Sequence, residues 1–416
     1  MIAKVTFGGE LFLRSEKEKV GYKGPLFAAL PGDLIISKIR VGQGSFCIIG
    51  DDLDQVAVSP EYPVYTLDTQ RIDPGYLVLV LRAQEFLIQL VGSASGNTTK
   101  RRIRPSFFES LRIPLPPLSK QQAIVASYHA TLGRAEELER EADEIETKAT
   151  AAFETALGFD PPKPLPDHPV FVASFNDLDR WSHEGILRRM VEGNVLRASP
   201  YPMVQLRDVI ADLENGWSPK CYNRPAEDGE WGVLKLGAVS FGTFDQRQNK
   251  ALPDHFQSRR DLEVKTGQVL ISRANITRLV GAVALVGATR GKLMLCDKIF
   301  RVVLFDSSPI DSAFLTEVMR IRDVRRQIET NVTGTSPTMK NISKPALMSL
   351  RFPLPPIGEQ TTLTETLATA RTMAADLRKQ AKAARSTAWT DFEDAVYAGS
   401  RDAAARVHSE RNVNRV

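Results

Sequence analysis

The chain has 416 residues, a formal net charge of +4 and a hydrophobic fraction of 43%. Because domains usually hold about 100 to 200 residues, we predict at least two domains. No apolar run approaches the roughly 18 residues that cross a bilayer, which argues against a membrane protein. No signal-peptide pattern is seen, which argues against an exported protein. The three cysteines lie far apart without a Cys-x-x-Cys pair, so we expect neither disulfides nor a zinc knuckle, and a cytoplasmic protein.

The first predicted elements form an α/β region that ends in a proline-rich segment. Residues 32–38 read as a turn, a buried strand and a cation. Residues 75–91 read as a helix, and a polar stretch with a glycine follows at 95–100. The segment 111–121 closes the region with the sequence Leu-Arg-Ile-Pro-Leu-Pro-Pro-Leu-Ser-Lys-Gln.

A long helix is predicted directly after this segment, over residues 118–158. Apolar residues recur at spacings of three and four from Ile124 to Phe153, which is typical of a coiled-coil seam. A helix of about 38 residues would be about 57 Å long at 1.5 Å per residue. Gly158 ends it, and residues 159–200, proline-rich at first, form a connector.

The same order of elements then appears a second time. Residues 267–273 match 32–38 at an offset of 235, and residues 350–360 match 111–121 at an offset of 239. Residues 312–332 read as a helix. The sequence therefore predicts a second α/β region at 201–356, a second long helix at 357–398 and a flexible tail at 399–416.

Two long helices in one chain allow two arrangements. Equal lengths and matching, alanine-rich seams favour antiparallel pairing within the chain, and a dimerisation coil with a different chain is the alternative. Pairing within the chain would hold two similar units at a fixed separation. Because the DNA duplex repeats its face about every 34 Å, such a spacer suits the recognition of a split DNA site.

Both α/β regions carry residue types that contact DNA. Arg and Lys suit guanine, Asn and Gln suit adenine, and hydroxyl groups suit phosphate. A single surface cation is usually just solvated, so the prediction depends on clusters, above all Lys100–Arg104. The candidates in the first region are Lys38, Arg40, Gln43, Asn97, Thr98, Lys100, Arg101, Arg102 and Arg104. The candidates in the second region are Lys220, Tyr222, Asn223, Arg224, Arg273, Asn275, Thr277, Arg278, Thr335, Ser336, Lys340 and Asn341.

A further group of cations lies on one predicted helix, at Arg320, Arg322, Arg325 and Arg326. These four are equally compatible with ion pairs.

Short patterns that resemble catalytic motifs lack essential parts. Asp254, Glu263 and Lys265 match a loose metal-dependent nuclease pattern, but the first repeat lacks it. Asp160–Lys163 carries Lys where an amino-methyltransferase signature requires an aromatic, and Gly287–Lys292 is one residue short of a phosphate-binding loop. The sequence therefore predicts no catalytic residue and no metal ligand.

The doubled Pro-Leu-Pro-Pro-x-x-x-Gln segment, at 114–121 and 353–360, resembles that of the specificity subunits of type I restriction-modification enzymes. Residues 201–209, followed by Gly-Trp-Ser-Pro at 216–219, resemble the opening of a target recognition domain. The resemblance covers essentially the whole chain. It implies an α/β fold in which two similar target recognition domains, 1–117 and 201–356, are separated by two long antiparallel coiled-coil helices in a pseudo-twofold internal repeat.

The resemblance also implies a function. The chain would bind bipartite double-stranded DNA sequence-specifically and direct two methyltransferase subunits and a restriction-translocase subunit. It would be non-catalytic and bind no cofactor itself, since S-adenosylmethionine, ATP and Mg²⁺ belong to the partner subunits. The residues expected to bind these partners are Pro116, Gln121, Pro355 and Gln360.

Two alternatives stay open, and one departure from the family pattern stands out. The chain could be a helical interaction scaffold of another defence complex that reads no bases, or a nuclease that acts alone. The departure is a difference in length: 31 residues precede Gly32, whereas 66 residues run from Tyr201 to the residue before Gly267. The first recognition domain is therefore predicted to lack its opening strands. Three explanations stay open: a misplaced start, a shortened domain, or a missing part that is supplied elsewhere.

Overall fold

The computed structural model describes residues 3–6, 8–13, 24–39, 44–92, 102–159, 186–187, 199–334, 336 and 339–413. They divide into two compact units, Met1–Glu141 with Asp376–Val416, and Ala142–Ala375. The first unit contains the α/β region called here the first module (residues 3–117), and the second contains the second module (residues 201–356). None of the described helices has the length and apolar character that crossing a membrane requires. The predicted α/β class is confirmed.

The first module is built from short antiparallel strands. A hairpin of β1 and β2 comes first, β3 pairs with β6, and a three-stranded sheet has the order β5-β4-β7. The strands are β1 Ala3–Val5, β2 Leu11–Leu13, β3 Phe27–Ala29, β4 Leu34–Ile36, β5 Phe46–Ile48, β6 Val56–Val58 and β7 Val64–Tyr65.

Three helices cover this sheet, and the first long helix follows them. They are α1 Pro74–Arg82, α2 Gln84–Gly92, α3 Pro105–Ser110 and the long α4 Leu118–Ala156. Asp73 starts α1 by accepting a hydrogen bond from the Tyr76 N–H at 2.9 Å, and Pro74 occupies the first turn, where its missing N–H costs nothing. Apolar side chains of α1 and α2 then pack on β4 and β5, which gives the module its core.

The second module has more strands. Its main sheet has the order β16-β14-β18-β9, β10 lies between β13 and β17, and the pairs β11–β12, β15–β19 and β20–β8 complete it. The strands are β8 Met203–Gln205, β9 Ile210–Asn215, β10 Gly232–Leu234, β11 Val239–Ser240, β12 Thr243–Phe244, β13 Asn249–Ala251, β14 Val269–Ser272, β15 Ala274–Asn275, β16 Val283–Leu285, β17 Leu293–Met294, β18 Ile299–Leu304, β19 Lys340–Asn341 and β20 Arg351–Pro353.

Apart from α5, the helices of the second module repeat those of the first. They are α5 Leu206–Val209, α6 Ser312–Val318, α7 Arg322–Thr330, α8 Lys344–Met348 and the long α9 Ile357–Val413. Asp311 starts α6 as Asp73 starts α1, by accepting from the N–H groups of Ala313 and Phe314 at 2.8 and 3.0 Å.

Equivalent backbone hydrogen bonds also occur within each of the two modules. Gly32 and Gly267 both adopt φ = 85°, a conformation that favours glycine, and their N–H groups donate to Ile49 and Val286 at 2.9 and 2.8 Å. The N–H groups of Lys38 and Arg273 donate to the carbonyls of Glu61 and Lys298 at 2.9 and 2.8 Å. The sheet β5-β4-β7 therefore corresponds to β16-β14-β18, and equivalent backbone hydrogen bonds accompany the sequence repeat in the two modules.

Within the first unit, α4 and α9 pack against each other. The ring of Tyr128 lies 6.0 Å from that of Trp389, and further along α4 Ala135 and Leu138 share a buried cluster with Ala381. Residue numbers rise along α4 as they fall along α9, so the two stretches are antiparallel. Fully buried alanines let the two backbones approach closely.

Within the second unit, the remaining stretches of the long helices join the core of the second module. Phe153 and Leu367 belong to one buried cluster with Phe314 of α6. Arg371 of α9 lies 3.9 Å from the Glu146 carboxylate of α4 and 2.6 Å from that of Glu317. The helices are thus part of the module's core, through both apolar and charged contacts.

Three predicted boundaries are corrected. Residues 75–91 and 312–332 do not form single helices, because Ala83 and Ile321 adopt extended backbone conformations that separate α1 from α2 and α6 from α7. The predicted flexible tail at 399–416 is helical as far as Val413. The connector at 159–200 lies almost entirely outside the described residues.

Candidate nucleic-acid interface

In the first module, the candidate interface lies where β4 ends. The Lys38 ammonium donates to the Pro60 carbonyl at 2.6 Å, and the Lys38 carbonyl accepts from the Ile103 N–H at 2.7 Å. This places Arg102 nearby, where it forms an ion pair with Glu61 while 62% of its side chain remains exposed. The structure thus brings together two predicted cations that are 64 positions apart in the sequence.

The corresponding place in the second module is the end of β14. The Arg273 carbonyl accepts from the Ile342 N–H at 3.0 Å, in the way that Lys38 accepts from Ile103. The Arg273 guanidinium lies 5.6 Å from the centre of the Phe300 ring, so a cation–π contact holds it in place.

A small sheet adds two further groups of candidates at this place. β15 pairs with β19 so that Asn275 lies opposite Lys340 and Ala274 opposite Asn341. The Lys340 ammonium donates to the Gly334 carbonyl at 2.6 Å. Residues predicted from two distant segments therefore meet at one edge of the second module.

The loop after β9 approaches the same edge. The Asp297 N–H donates to the Ser218 hydroxyl at 3.1 Å, and Asp297 directly precedes Lys298. Burial alone would raise the pKa of Asp297, but hydrogen bonds from Ser218 and Lys298, with the charges on Lys298 and Arg273, lower that pKa below its usual value. Asp297 is thus an anion among cations, and it fixes the loop beside Arg273.

The middle of this loop presents Lys220, Tyr222 and Asn223 to solvent. Arg224, in contrast, makes a bidentate salt bridge with the Glu230 carboxylate, with nitrogen–oxygen distances of 2.6 and 2.8 Å. This pair and a hydrogen bond from Arg224 to Pro225 occupy the guanidinium. Arg224 thus braces the loop that presents its neighbours, while 43% of its side chain stays exposed and its contact with DNA stays a prediction.

The remaining candidates differ in their surroundings. Within the part of the chain that the structure describes, no hydrogen bond or ion pair holds the exposed side chains of Lys220, Asn223, Arg278 or Arg104. Thr277 is half-buried and Ser336 is exposed. The other predicted residues, Arg40, Gln43, Asn97, Thr98, Lys100, Arg101 and Thr335, lie outside the described residues.

Sequence reasoning missed Lys298, whose exposed ammonium lies 3.3 Å from Asp297. The internal repeat could have pointed to Lys298. The Arg273 N–H donates to the Lys298 carbonyl as the Lys38 N–H donates to the Glu61 carbonyl, so Lys298 corresponds to Glu61. The second module therefore carries a cation where the first carries a carboxylate.

The helical cations at 320–326 form ion pairs. Arg320 lies 2.9 Å from Glu317, Arg322 lies 3.7 Å from Glu154 of α4, and Arg325 donates to the Val280 carbonyl at 2.9 Å. Their surroundings are those of structural residues.

The two glutamines expected to bind partner subunits are fully buried. The Gln121 amide donates to the carbonyls of Arg71 and Pro116 at 3.0 and 2.7 Å, and its oxygen accepts from the Asp73 N–H at 2.9 Å. Gln360 makes the same three bonds, each 2.8 Å long, to Pro309, Pro355 and Asp311. The two glutamine side chains therefore have a structural role rather than the expected direct contact with partners. Pro355 is also buried, whereas Pro116 is half-buried and its contact with a partner stays a prediction.

The nuclease-like pattern also has a structural explanation. The Glu263 carboxylate accepts from the Lys292 N–H at 2.6 Å, and Lys265 is exposed. Among the described residues, no three His, Cys, Asp or Glu side chains form a group that could hold a metal ion.

Comparisons with known proteins agree with the family resemblance, although no family model matches the chain. The type I restriction enzyme EcoEI specificity subunit of Escherichia coli is 24% identical over 351 residues, covering 70% of this chain and 59% of that protein. The MjaVIII specificity subunit of Methanocaldococcus jannaschii is 23% identical over 315 residues, covering 71% of this chain and 63% of that protein. The chain thus spans less than two thirds of either relative.

A solved structure agrees with these relatives. A chain from a study of complex assembly and conformational transition in the type I restriction-modification system matches with a TM-score of 0.57 and 18% identity, covering 88% of this chain and 82% of that one. That similarity shows a common fold. In sequence this protein is similar to two type I restriction enzyme specificity subunits, and in fold it is similar to a chain of a type I restriction-modification system.

Proposed function

We propose that this chain is the non-catalytic DNA-recognition subunit of a type I restriction-modification complex in the cytoplasm. Each module reads one half of a split duplex site, and the chain directs two methyltransferase subunits and a restriction-translocase subunit to that site. S-adenosylmethionine, ATP and Mg²⁺ are bound by those partners.

One observation carries the proposal: both modules place a cation at the same strand end. Lys38 and Arg273 make matching backbone bonds, and each is joined to a second candidate segment, containing Arg102 in one module and Lys340 and Asn341 in the other. Two equivalent polar sites that differ in their side chains suit the reading of two different half-sites. The curated relatives support the same function by their names.

The long helices provide the spacer in this proposal. A buried cluster joins Ile124 of α4 and Phe392 of α9 to Tyr76 of α1 in the first module, and the helices share a core with the second module. These contacts support a rigid connection at each module. Helices fixed in this way would set the gap between the half-sites.

A selection experiment tests the proposal. The full chain, alone and co-expressed with the methyltransferase subunit of its own system, is incubated with random duplexes, and the bound fragments are sequenced. We expect a bipartite motif with a constant gap. Tight binding without a motif, or no binding in either form, would favour the interaction scaffold, and Mg²⁺-dependent cutting by the chain alone would favour the nuclease.

A further inference from the structure

The edge strand of the main sheet differs between the two modules. In the second module, β9 pairs with β18 along Ile210–Asn215, and β8 pairs with β20. The segment 203–215 buries Leu206, Val209, Ile210 and Leu213 in the same cluster as Phe300, Val302 and Phe352. One strand–turn–strand segment thus covers two edges of the module at once.

Among the described residues, the matching edges of the first module have no such cover. Through the shared backbone bonds, β7 corresponds to β18 and residues 112–114 correspond to β20. Among the described residues, β7 pairs only with β4, and no strand pairs with 112–114. The first module therefore lacks a counterpart of β8, α5 and β9 within the described ranges.

The side chains along these edges are correspondingly more exposed. Phe352 and Leu350 of the second module are 0% and 1% exposed, whereas their counterparts Ile113 and Leu111 are half-buried. The next residue in the pattern, Leu115, is 47% exposed. Two apolar positions that are buried in the second module are thus only half-buried in the first.

The backbone of these edges is suited to pairing. The carbonyls of Glu61 and Pro63 accept from the N–H groups of Lys38 and Ile36 of the β4 region, so Val64 and Thr66 point their N–H and carbonyl groups away from β4. In the second module, the Leu350 carbonyl accepts from the Leu206 N–H, and the Leu354 N–H donates to the Pro202 carbonyl, so alternate residues of the β20 edge face β8. The corresponding residues of the first module include Ile113 and Leu115, whose N–H and carbonyl groups therefore face outward.

We propose that the outer edge of β7 and residues 112–115 form an acceptor site, in which a strand–turn–strand segment of a separate polypeptide binds by adding strands to both edges. The donor carries apolar residues at the positions of Leu206, Val209, Ile210 and Leu213. This interaction is independent of the proposed DNA recognition.

The charge of the edge specifies the donor further. In the second module, Asp212 of the covering segment forms an ion pair with Lys344 of α8. The matching helix α3 has Pro105 at that place and presents the exposed Glu109, which accepts from the Tyr65 hydroxyl at 3.1 Å. A donor with Lys or Arg where the second module has Asp212 complements this carboxylate.

Amide hydrogen exchange of the full chain tests the proposal. The probe is a synthetic peptide of residues 201–216 with the change Asp212→Lys, and the control is the same peptide with Ile210→Asp and Leu213→Asp in addition. At a saturating concentration of the probe, we expect exchange at Val64, Thr66, Ile113 and Leu115 to slow by about tenfold or more, with no slowing by the control.

Three outcomes would overturn the acceptor site: no slowing by the probe, equal slowing by the control, or protection of these four amides in the peptide-free chain that already equals that of β18. The last result would mean that the chain covers its own edge. The experiment contains no DNA, so its failure leaves the proposed DNA recognition untouched, and a failed DNA selection leaves the acceptor site untouched.

Discussion

The side-chain oxygen of Gln121 accepts the backbone N–H of Asp73 at 2.9 Å, which fastens the start of α4 to the residue that caps α1. The same side chain donates to two carbonyls, and Gln360 repeats the arrangement. In each module, a buried amide therefore joins the long helix to the preceding α/β region.

Replacing Gln121 tests this role. In Gln121→Leu, one N–H and two carbonyls lose a buried partner, so we expect the free energy of unfolding of the first unit to fall by about 2–4 kcal/mol. Urea denaturation followed by the fluorescence of Trp389, which lies in that unit, measures it in a background where the other three tryptophans are replaced by Phe. The adjacent Gln122 is exposed, and Gln122→Leu should change stability by less than about 0.5 kcal/mol. Equal effects of the two changes would refute the role.

The alanine contact between the helices makes a second prediction. Ala135 and Ala381 are 0% exposed, so Ala135→Leu places a larger side chain where none fits and should destabilise the first unit by about 1–3 kcal/mol. Thermal unfolding by circular dichroism is the measurement, with Ala126→Leu at an exposed position of the same helix as the control. A wild-type melting temperature for Ala135→Leu would show that the helices do not pack closely there.

The loop after β9 makes a prediction about DNA binding. Removing the exposed ammonium in Lys220→Ala should weaken binding to the selected duplex and reduce the slope of log affinity against log salt by about 1 if it contacts a phosphate. Arg247 is also exposed, but it pairs with Asp245 at 2.9 Å, so Arg247→Ala serves as the matched loss of a cation. Fluorescence anisotropy over a salt series separates the two, and identical slopes would exclude Lys220 from the interface.

The salt bridge between Arg224 and Glu230, which braces that loop, depends on pH. Hydrogen bonds from the Arg224 side chain and the Glu227 backbone lower the pKa of Glu230 from 4.5 to about 2. Because the folded-state pKa lies below the ordinary value, the stabilisation is present above about pH 4.5 and is lost as pH falls toward 2. We expect the Glu227 N–H, after correction for the intrinsic rate, to lose exchange protection over this range.

The variant Glu230→Gln, which cannot titrate, is the control for that loss. Its Glu227 N–H should show little dependence on pH over the same range. A pH response as large as that of the wild type would locate the titrating group elsewhere.

The repeat made much of the fold predictable. Offsets of 235 and 239 located both modules and both long helices, since a duplicated segment repeats its turns and apolar positions together. The breaks at Ala83 and Ile321 escaped prediction because the apolar pattern continues through them while only the backbone angles change. The helix beyond residue 398 was missed because the apolar seam fades there, although no proline interrupts the helix.

The sequence predicted residue types of the candidate site, but it did not show which of these residues are already engaged in contacts within the protein. The sequence predicted Lys38, Arg102 and Arg273 as candidates, because cations near glycine turns and strand ends are visible in it. The engagement of Arg224 with Glu230 depends on how the loop folds back, which composition does not reveal. Gln121 is polar and follows prolines, so only its partners, up to 50 positions away, show that it is buried.

The position of these glutamines also bears on the construction of hybrid proteins. A chimera that exchanges one module and is joined at the prolines 116–117 would leave Gln121 facing carbonyls of foreign geometry. A junction a few residues beyond Gln121 or Gln360 would transfer each amide together with the carbonyls it evolved with. Gene fragments intended for recombination should therefore carry the first turns of the helix along with the module.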